Sequence, residues 1–123
     1  MKMPNADRAQ VDVDRKLIGY CLNSSHRTGR HKAYVFESVL GITPENADIL
    51  ATALRLAARE MDAKVKDRSS DATKYEIESL VIGPRGTAVV RSGWIIEQRT
   101  VVPRLVTCYV KSAVKGGSRG RRA

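Results

Sequence analysis

The sequence predicts an α+β fold, with two or three N-terminal helices packed on a C-terminal antiparallel sheet of three to four strands. Three observations carry this. Apolar residues recur at helical spacing as far as Met61. From Tyr75 onward the chain changes to short β-rich runs broken by turn residues. A length of 123 residues suits one core and leaves no room for two ordinary ones.

Residues 1–11 show no period and are predicted to form an extended arm. Asp14 is placed to cap a short helix in which Leu17, Ile18, Cys21 and Leu22 share a stripe. Asn23 to Arg30 is a polar loop full of turn residues. A second helix is predicted from His31 to Leu40, with Phe36 and Leu40 on one stripe and Val35 and Val39 on the next. Gly41 supplies its stop. Thr43, Pro44 and Glu45 then open the clearest helix: an N-cap hydroxyl, a proline at the first helical position and an acid at the positive end of the dipole. Its predicted buried face is Ile49, Leu50, Ala53, Leu54, Ala57 and Met61, with Arg55, Arg59 and Glu60 outside it.

Lys64 to Lys74 is polar without a period and is predicted to be a connection. Strands are predicted over 75–82, 88–97 and 105–111, with Gly83-Pro84-Arg85-Gly86 as a turn and Val101-Val102-Pro103 as an extended link. Consecutive strands joined by short turns make an antiparallel meander. On the second strand Val89, Arg91, Gly93 and Ile95 alternate with Val90, Ser92, Trp94 and Ile96; on the third, Leu105, Thr107 and Tyr109 alternate with Val106, Cys108 and Val110. Both faces are mixed, so alternation does not say which is wet. The predicted organisation is an arm over 1–11, one domain over 12–111 and a flexible basic tail over 112–123.

The formal charge is +9, and the stretch from Lys111 to Ala123 carries five cations and no acid. Such an excess favours nucleic acid or acidic surfaces through phosphate neutralisation and counterion release. With one Trp, one Phe and four Tyr, a platform that stacks several unpaired bases is hard to build. Cys21 and Cys108 lie far apart in apolar segments, which suits buried small hydrophobes in a reducing cytosol better than a disulfide framework. No CxxC pair or Cys/His spacing suggests zinc, and no metal or other cofactor is expected. The N-terminus lacks a signal-peptide run, and no stretch approaches the length of a membrane span. The expectation is a cytoplasmic protein without a membrane partner.

The chemistry concentrates between Leu22 and Phe36. Both histidines, His26 and His31, lie there among Arg27, Gly29, Arg30 and Lys32. Lys32 shares a helical face with Phe36, so an anchored aromatic would aim its ammonium. Gly29 permits positive φ or close backbone approach. Cleavage of RNA by its own 2′-hydroxyl needs proton transfers and stabilisation of a crowded phosphorane. Histidine suits the first task near neutral pH, and Lys and Arg suit the second. The plainer reading is a solvated basic loop with exposed histidines.

The stretch resembles the pattern Leu-Asn-Pro-x-His-Pro-x-Gly-x-x-Lys-Ala-x-x-Phe of a small bacterial domain family whose members look like the toxins of toxin–antitoxin pairs or the terminal domains of larger toxins. The likeness spans residues 12–110. It takes in His26, Gly29, Lys32, Ala33, Phe36, Leu40-Gly41, Arg91 and Trp94 in Val-Arg-Ser-Gly-Trp, and Pro103 to Tyr109. Ser24 and Arg27 stand where the pattern has proline. Helices followed by a sheet is also similar to the nuclease fold shared by barnase, EndoU, colicin-type tRNases and RelE. That resemblance implies metal-independent RNA cleavage, with polar residues on the sheet and basic ones from the helical half.

The expected function is therefore a metal-independent endoribonuclease, the toxin of a pair held in check by a small acidic antitoxin. His26 would transfer protons, Lys32 and Arg91 would stabilise the phosphorane, and Arg30, His31, Arg104, Thr107 and Tyr109 would contact substrate. Arg91 in mid-strand also suits a cross-strand charge pair, and Trp94 suits the core better than a stacking surface. Two alternatives use the same basic face: a non-catalytic RNA- or ribosome-binding domain, and a module that binds an acidic protein.

Overall fold

The computed structural model describes residues 1–114. Three helical segments precede a four-stranded antiparallel sheet in the order β1 (Lys64–Arg68), β2 (Ala72–Ile82), β3 (Thr87–Glu97), β4 (Arg104–Val114). This is the predicted α+β meander, with its fourth strand identified. No helix among the described residues is long and apolar enough to cross a membrane.

The first helix, Val13–Cys21, is wound as a π-helix and ends with Leu22 N donating to Leu17 O at 2.7 Å. Its cap is Asp12, not Asp14: the Asp12 carboxylate accepts from Arg15 N at 3.1 Å. Leu17, Cys21 and Leu22 are buried as expected, while Ile18 turns out to 37% exposure. The wider winding rotates successive residues by less than an α-helix does, so a stripe drawn at α spacing misplaces one member. Helix α1 (Arg30–Val35) runs on through a π turn, Phe36–Leu40, that buries Phe36 and Leu40. Gly41 ends it at φ +72°, and a Cβ there would also strike the Arg85 stem at 2.6 Å.

Thr43 and Asn46 fasten the next turn, Thr43 N donating to Asn46 Oδ1 at 2.7 Å, and α2 (Ala47–Glu60) follows. It buries Ala47, Leu50, Ala51, Leu54, Ala57 and Ala58, a face shifted from the expected one. Ile49 and Ala53 are only partly covered, and Met61 falls past the helix end at 41% exposure.

Three boundaries differ from expectation. Residues 1–11 are no free arm: Met3 and Val11 are buried, and Gln10 pairs with Arg104 through a parallel bridge. Lys64 to Arg68 is a strand; as an edge strand with side chains in water it needs no apolar alternation, which is why sequence period missed it. The expected tail over 112–123 begins too early, because β4 continues to Val114; the rest of that tail lies outside the described residues.

Burial settles the faces. Ala88, Val90, Ser92 and Trp94 point into the core, so Val89, Arg91, Gly93 and Ile95 point outward. On β4 simple alternation fails. Leu105 and Cys108 are both buried, because a register shift opposite Gly93/Trp94 inserts an extra residue. Thr107 and Tyr109 then share the outer face. Trp94 is core, 1% exposed, with its Nε1 donating to Ser92 Oγ at 2.9 Å.

Candidate functional site

Cross-strand register builds the outer face of the sheet in rows. Arg91 lies between Glu78 on β2 and Tyr109 on β4, and Gly93 lies between Glu76 and Thr107. The helical half meets these rows at the β4 edge. Lys32, one turn N-terminal to the buried Phe36, donates from Nζ to Thr107 Oγ1 and to Tyr20 Oη, each at 3.0 Å. The same ammonium stands 4.8 Å from the Tyr20 ring centroid and 5.7 Å from that of Tyr109. It makes no ion pair among the described residues, so its charge is held by hydroxyls and ring faces alone. A cation held in this way is suited to a mobile anion.

Arg91 reaches Tyr109 from the other direction, with Nη1 donating to Tyr109 Oη at 3.0 Å. Nε and Nη2 bond Glu78 Oε2 at 3.0 and 2.6 Å, and Glu76 Oε1 lies 3.6 Å away. The bond to Glu78, then that to Tyr109, raises the guanidinium's already high proton affinity, and Arg91 with Lys111 holds the Glu78 carboxyl below the usual range. Arg91 is thus the cross-strand ion pair that its mid-strand position suits, and it also lies near Lys32 around the Tyr109 ring.

Tyr20 is the residue that sequence reasoning missed. It carries no motif; only the winding of its helix brings it over Lys32. The hydrogen bond from Lys32 holds its hydroxyl below the usual tyrosine range, against partial burial, with Thr107 adding to the effect. Gly29 explains how the loop lies so close. Its φ is an ordinary −91°, so positive φ is not the reason for glycine; a Cβ there would sit 2.3 Å from Tyr20 O. Close backbone approach is the reason.

His26 sits beside this group, its ring edge-on to Tyr20 at 4.9 Å between centroids. Its Nδ1 accepts from Thr28 N at 3.1 Å and Gly29 N at 3.0 Å. Two backbone donors on Nδ1 leave the ring proton on Nε2. These bonds tie Nδ1 of His26 to its own loop, so any proton transfer by this ring would run through Nε2. Arg30 and His31 are exposed at the start of α1 and have no side-chain bond among the described residues. Arg104 is separate from Lys32, with Nε and Nη2 on Glu97 Oε1 at 3.3 and 3.2 Å.

Both cysteines are buried and free. Cys21 Sγ lies 3.9 Å from Thr107 Oγ1. The bond with the Cys108 thiol, opposed by burial and aided by Thr107 and Lys32, lowers Cys21 to about 7, while Cys108 is pushed well up by that same bond and by burial.

Lys32, Tyr20, Thr107, Tyr109 and Arg91 therefore form one connected group on a solvent-facing sheet surface, with His26 at its margin. Such a set can bind an anion, supply a hydroxyl of lowered proton affinity, and spread developing negative charge over two cations. Residues 2–112 match the family model described as Domain of unknown function (DUF6883). No curated protein and no solved structure matches the chain.

Proposed function

We propose that this chain, which belongs to the DUF6883 family, is a metal-independent endoribonuclease whose reacting phosphate sits on Lys32 at the β4 edge. The observation that carries this is the Lys32 ammonium, unpaired by any carboxylate among the described residues and bonded at 3.0 Å to the hydroxyls of both Tyr20 and Thr107. In the reaction the 2′-oxygen bonds to phosphorus as the bond to the 5′-oxygen breaks. A proton leaves the 2′-hydroxyl and one is delivered to the departing 5′-oxygen. Tyr20, as a tyrosinate favoured by Lys32, takes the 2′-hydroxyl proton, and as the phenol so formed it gives that proton to the departing 5′-oxygen. Lys32 and Arg91 stabilise charge on the phosphorane, and the His26 Nε2–H serves as a donor rather than a base. Thr107 and Tyr109 position the phosphate. The basic composition supports an RNA substrate and an acidic protein, in the manner of an antitoxin, as the controlling partner.

A second reading, RNA binding without turnover, is favoured by one observation: Arg91 is satisfied by Glu78 and Tyr109 before any ligand arrives. The test is incubation of the full chain with a single-stranded oligoribonucleotide in EDTA. The nuclease reading expects fragments ending in a 2′,3′-cyclic phosphate, and no cut where the scissile nucleotide lacks its 2′-hydroxyl. Binding without cleavage leaves the second reading standing, and strict dependence on an added divalent ion rejects the mechanism.

A further inference from the structure

A second basic feature lies along the same strand. A cleft of about 420 Å³ opens between the start of the first helix and the start of β4, lined by Gln10, Asp12, Arg15, Lys16, Arg104 and Leu105. Its construction is rigid on the β4 side. Gln10 N donates to Pro103 O and Leu105 N to Gln10 O, each at 2.9 Å, which clamps the N-terminal segment across Arg104. Arg15 and Lys16 make no ion pair among the described residues. Against its three cations the lining holds one carboxylate, Asp12, which caps the helix by accepting from Arg15 N, while Glu97 holds one side of Arg104. The cleft therefore keeps a positive excess.

Register relates this cleft to Lys32. Arg104 is the partner of Ile95, Thr107 of Gly93 and Tyr109 of Arg91. Ile95, Gly93 and Arg91 are successive outward residues of β3, and two strand residues span about 7 Å. Arg104, Thr107 with Lys32, and Tyr109 with Arg91 thus form three stations on one face at about 7 Å intervals. The middle station sits beside Gly93, whose missing side chain leaves the sheet floor open; strand glycines mark sites of close approach. The first helix joins the same stations, because Lys16 at the cleft and Tyr20 at Lys32 are four residues apart on it.

We infer that the cleft of Arg15, Lys16 and Arg104 is a flanking phosphate subsite, and that the ligand is an extended single strand of RNA lying along β4. This rests on the nuclease reading for the identity of the Lys32 site. Evenly spaced cations on an open face match a polymer with an anionic group in every repeat. They do not match a mononucleotide, which would occupy one station and leave the cleft empty.

The test is binding of a labelled single-stranded oligoribonucleotide to the full chain across a range of salt, for the parental protein, Arg15→Ala/Lys16→Ala, and the control Arg59→Ala/Arg85→Ala, whose exposed cations lie at the end of α2 and in the β2–β3 turn, away from the start of β4. Loss of two phosphate contacts at roughly 0.7 each lowers the slope of log K against log salt by about 1.4. The cleft variant is expected to show that drop, with an unchanged melting curve, and the control to show the parental slope. Equal slopes for parent and cleft variant, with binding intact, overturn the subsite and spare the Lys32 reading. No binding by the parental protein overturns both. Equal competition by poly-L-glutamate at matched charge overturns RNA as the ligand, because it shows a cleft that senses charge without spacing.

Discussion

Lys32 and Arg91, one from a helix and one from the middle of the sheet, meet at the ring of Tyr109: Lys32 Nζ is 5.7 Å and Arg91 Cζ 5.8 Å from its centroid. The two cations are not equivalent. Arg91 enters this contact already neutralised by Glu78, whereas Lys32 brings a charge that no carboxylate shares. An approaching phosphate would meet Lys32 first and gain Arg91 only by competing with Glu78.

Lys32→Ala should lower turnover on the order of a hundredfold, comparable to the loss of one oxyanion donor. Affinity for RNA should change little, since many other basic residues share the ground-state attraction. Stability should fall by about 1 kcal/mol, because the part-buried hydroxyls of Tyr20 and Thr107 lose their shared donor. Parental turnover in this variant would make Lys32 a structural cation only. Single-turnover kinetics beside a denaturant melt separate the outcomes.

Tyr20 offers a spectroscopic check. Its hydroxyl is held below the ordinary value of about 10, so tyrosinate absorbance should begin to rise earlier than in a denatured chain. Lys32→Met removes the first cause and should move that onset upward; Tyr20→Phe should abolish it. The sign for stability follows from a folded value lower than the unfolded one. The contribution is complete above the unfolded value and is lost as pH falls through the folded value. A Lys32→Met variant whose early absorbance is unchanged would show that Lys32 does not govern the hydroxyl.

The order of elements was legible because it rests on period and punctuation, both local properties. Lys32 stood out by its spacing from Phe36, and Gly29 by its type. What sequence could not show was set by register and winding. The residue inserted in β4 decides that Leu105 and Cys108 share the core face while Thr107 and Tyr109 face out. Tyr20 reaches Lys32 only through a π-wound helix, whose repeat no α or β template contains. His26 stood out by residue type, but the backbone donors that tie its Nδ1 to the loop are invisible in sequence.

The sheet core has its own weak point in Ser92. This buried hydroxyl accepts from Trp94 Nε1 at 2.9 Å and donates to Ile77 O at 3.4 Å. Ser92→Ala leaves the indole N–H unpaired in the core, at a cost of roughly 1–3 kcal/mol. Trp94 fluorescence gives the readout, as the only tryptophan in the chain. Cleavage or binding should be unaffected below the new melting transition, because Ser92 faces away from Tyr109 and Thr107. A variant as stable as the parent would mean that the indole finds another acceptor.

Glu78 provides the sharpest test of Arg91. Its carboxylate takes two bonds from the guanidinium and two from Lys111, so it competes for both cations with any phosphate on this face. Glu78→Gln keeps the shape and removes the charge. If Arg91 takes part in RNA binding, this variant should bind a single strand more tightly, and its salt slope should steepen by roughly 0.7 for each cation released to the backbone. Arg91→Ala should act in the opposite sense, and the double variant should resemble Arg91→Ala except for whatever Lys111 retains. If Arg91 serves only the sheet, Glu78→Gln will steepen the slope by no more than the roughly 0.7 that Lys111 accounts for, and Arg91→Ala will cost stability alone. Salt-dependent anisotropy on the two single variants and the double closes this cycle, and its coupling energy measures how far the ion pair withholds Arg91 from the ligand.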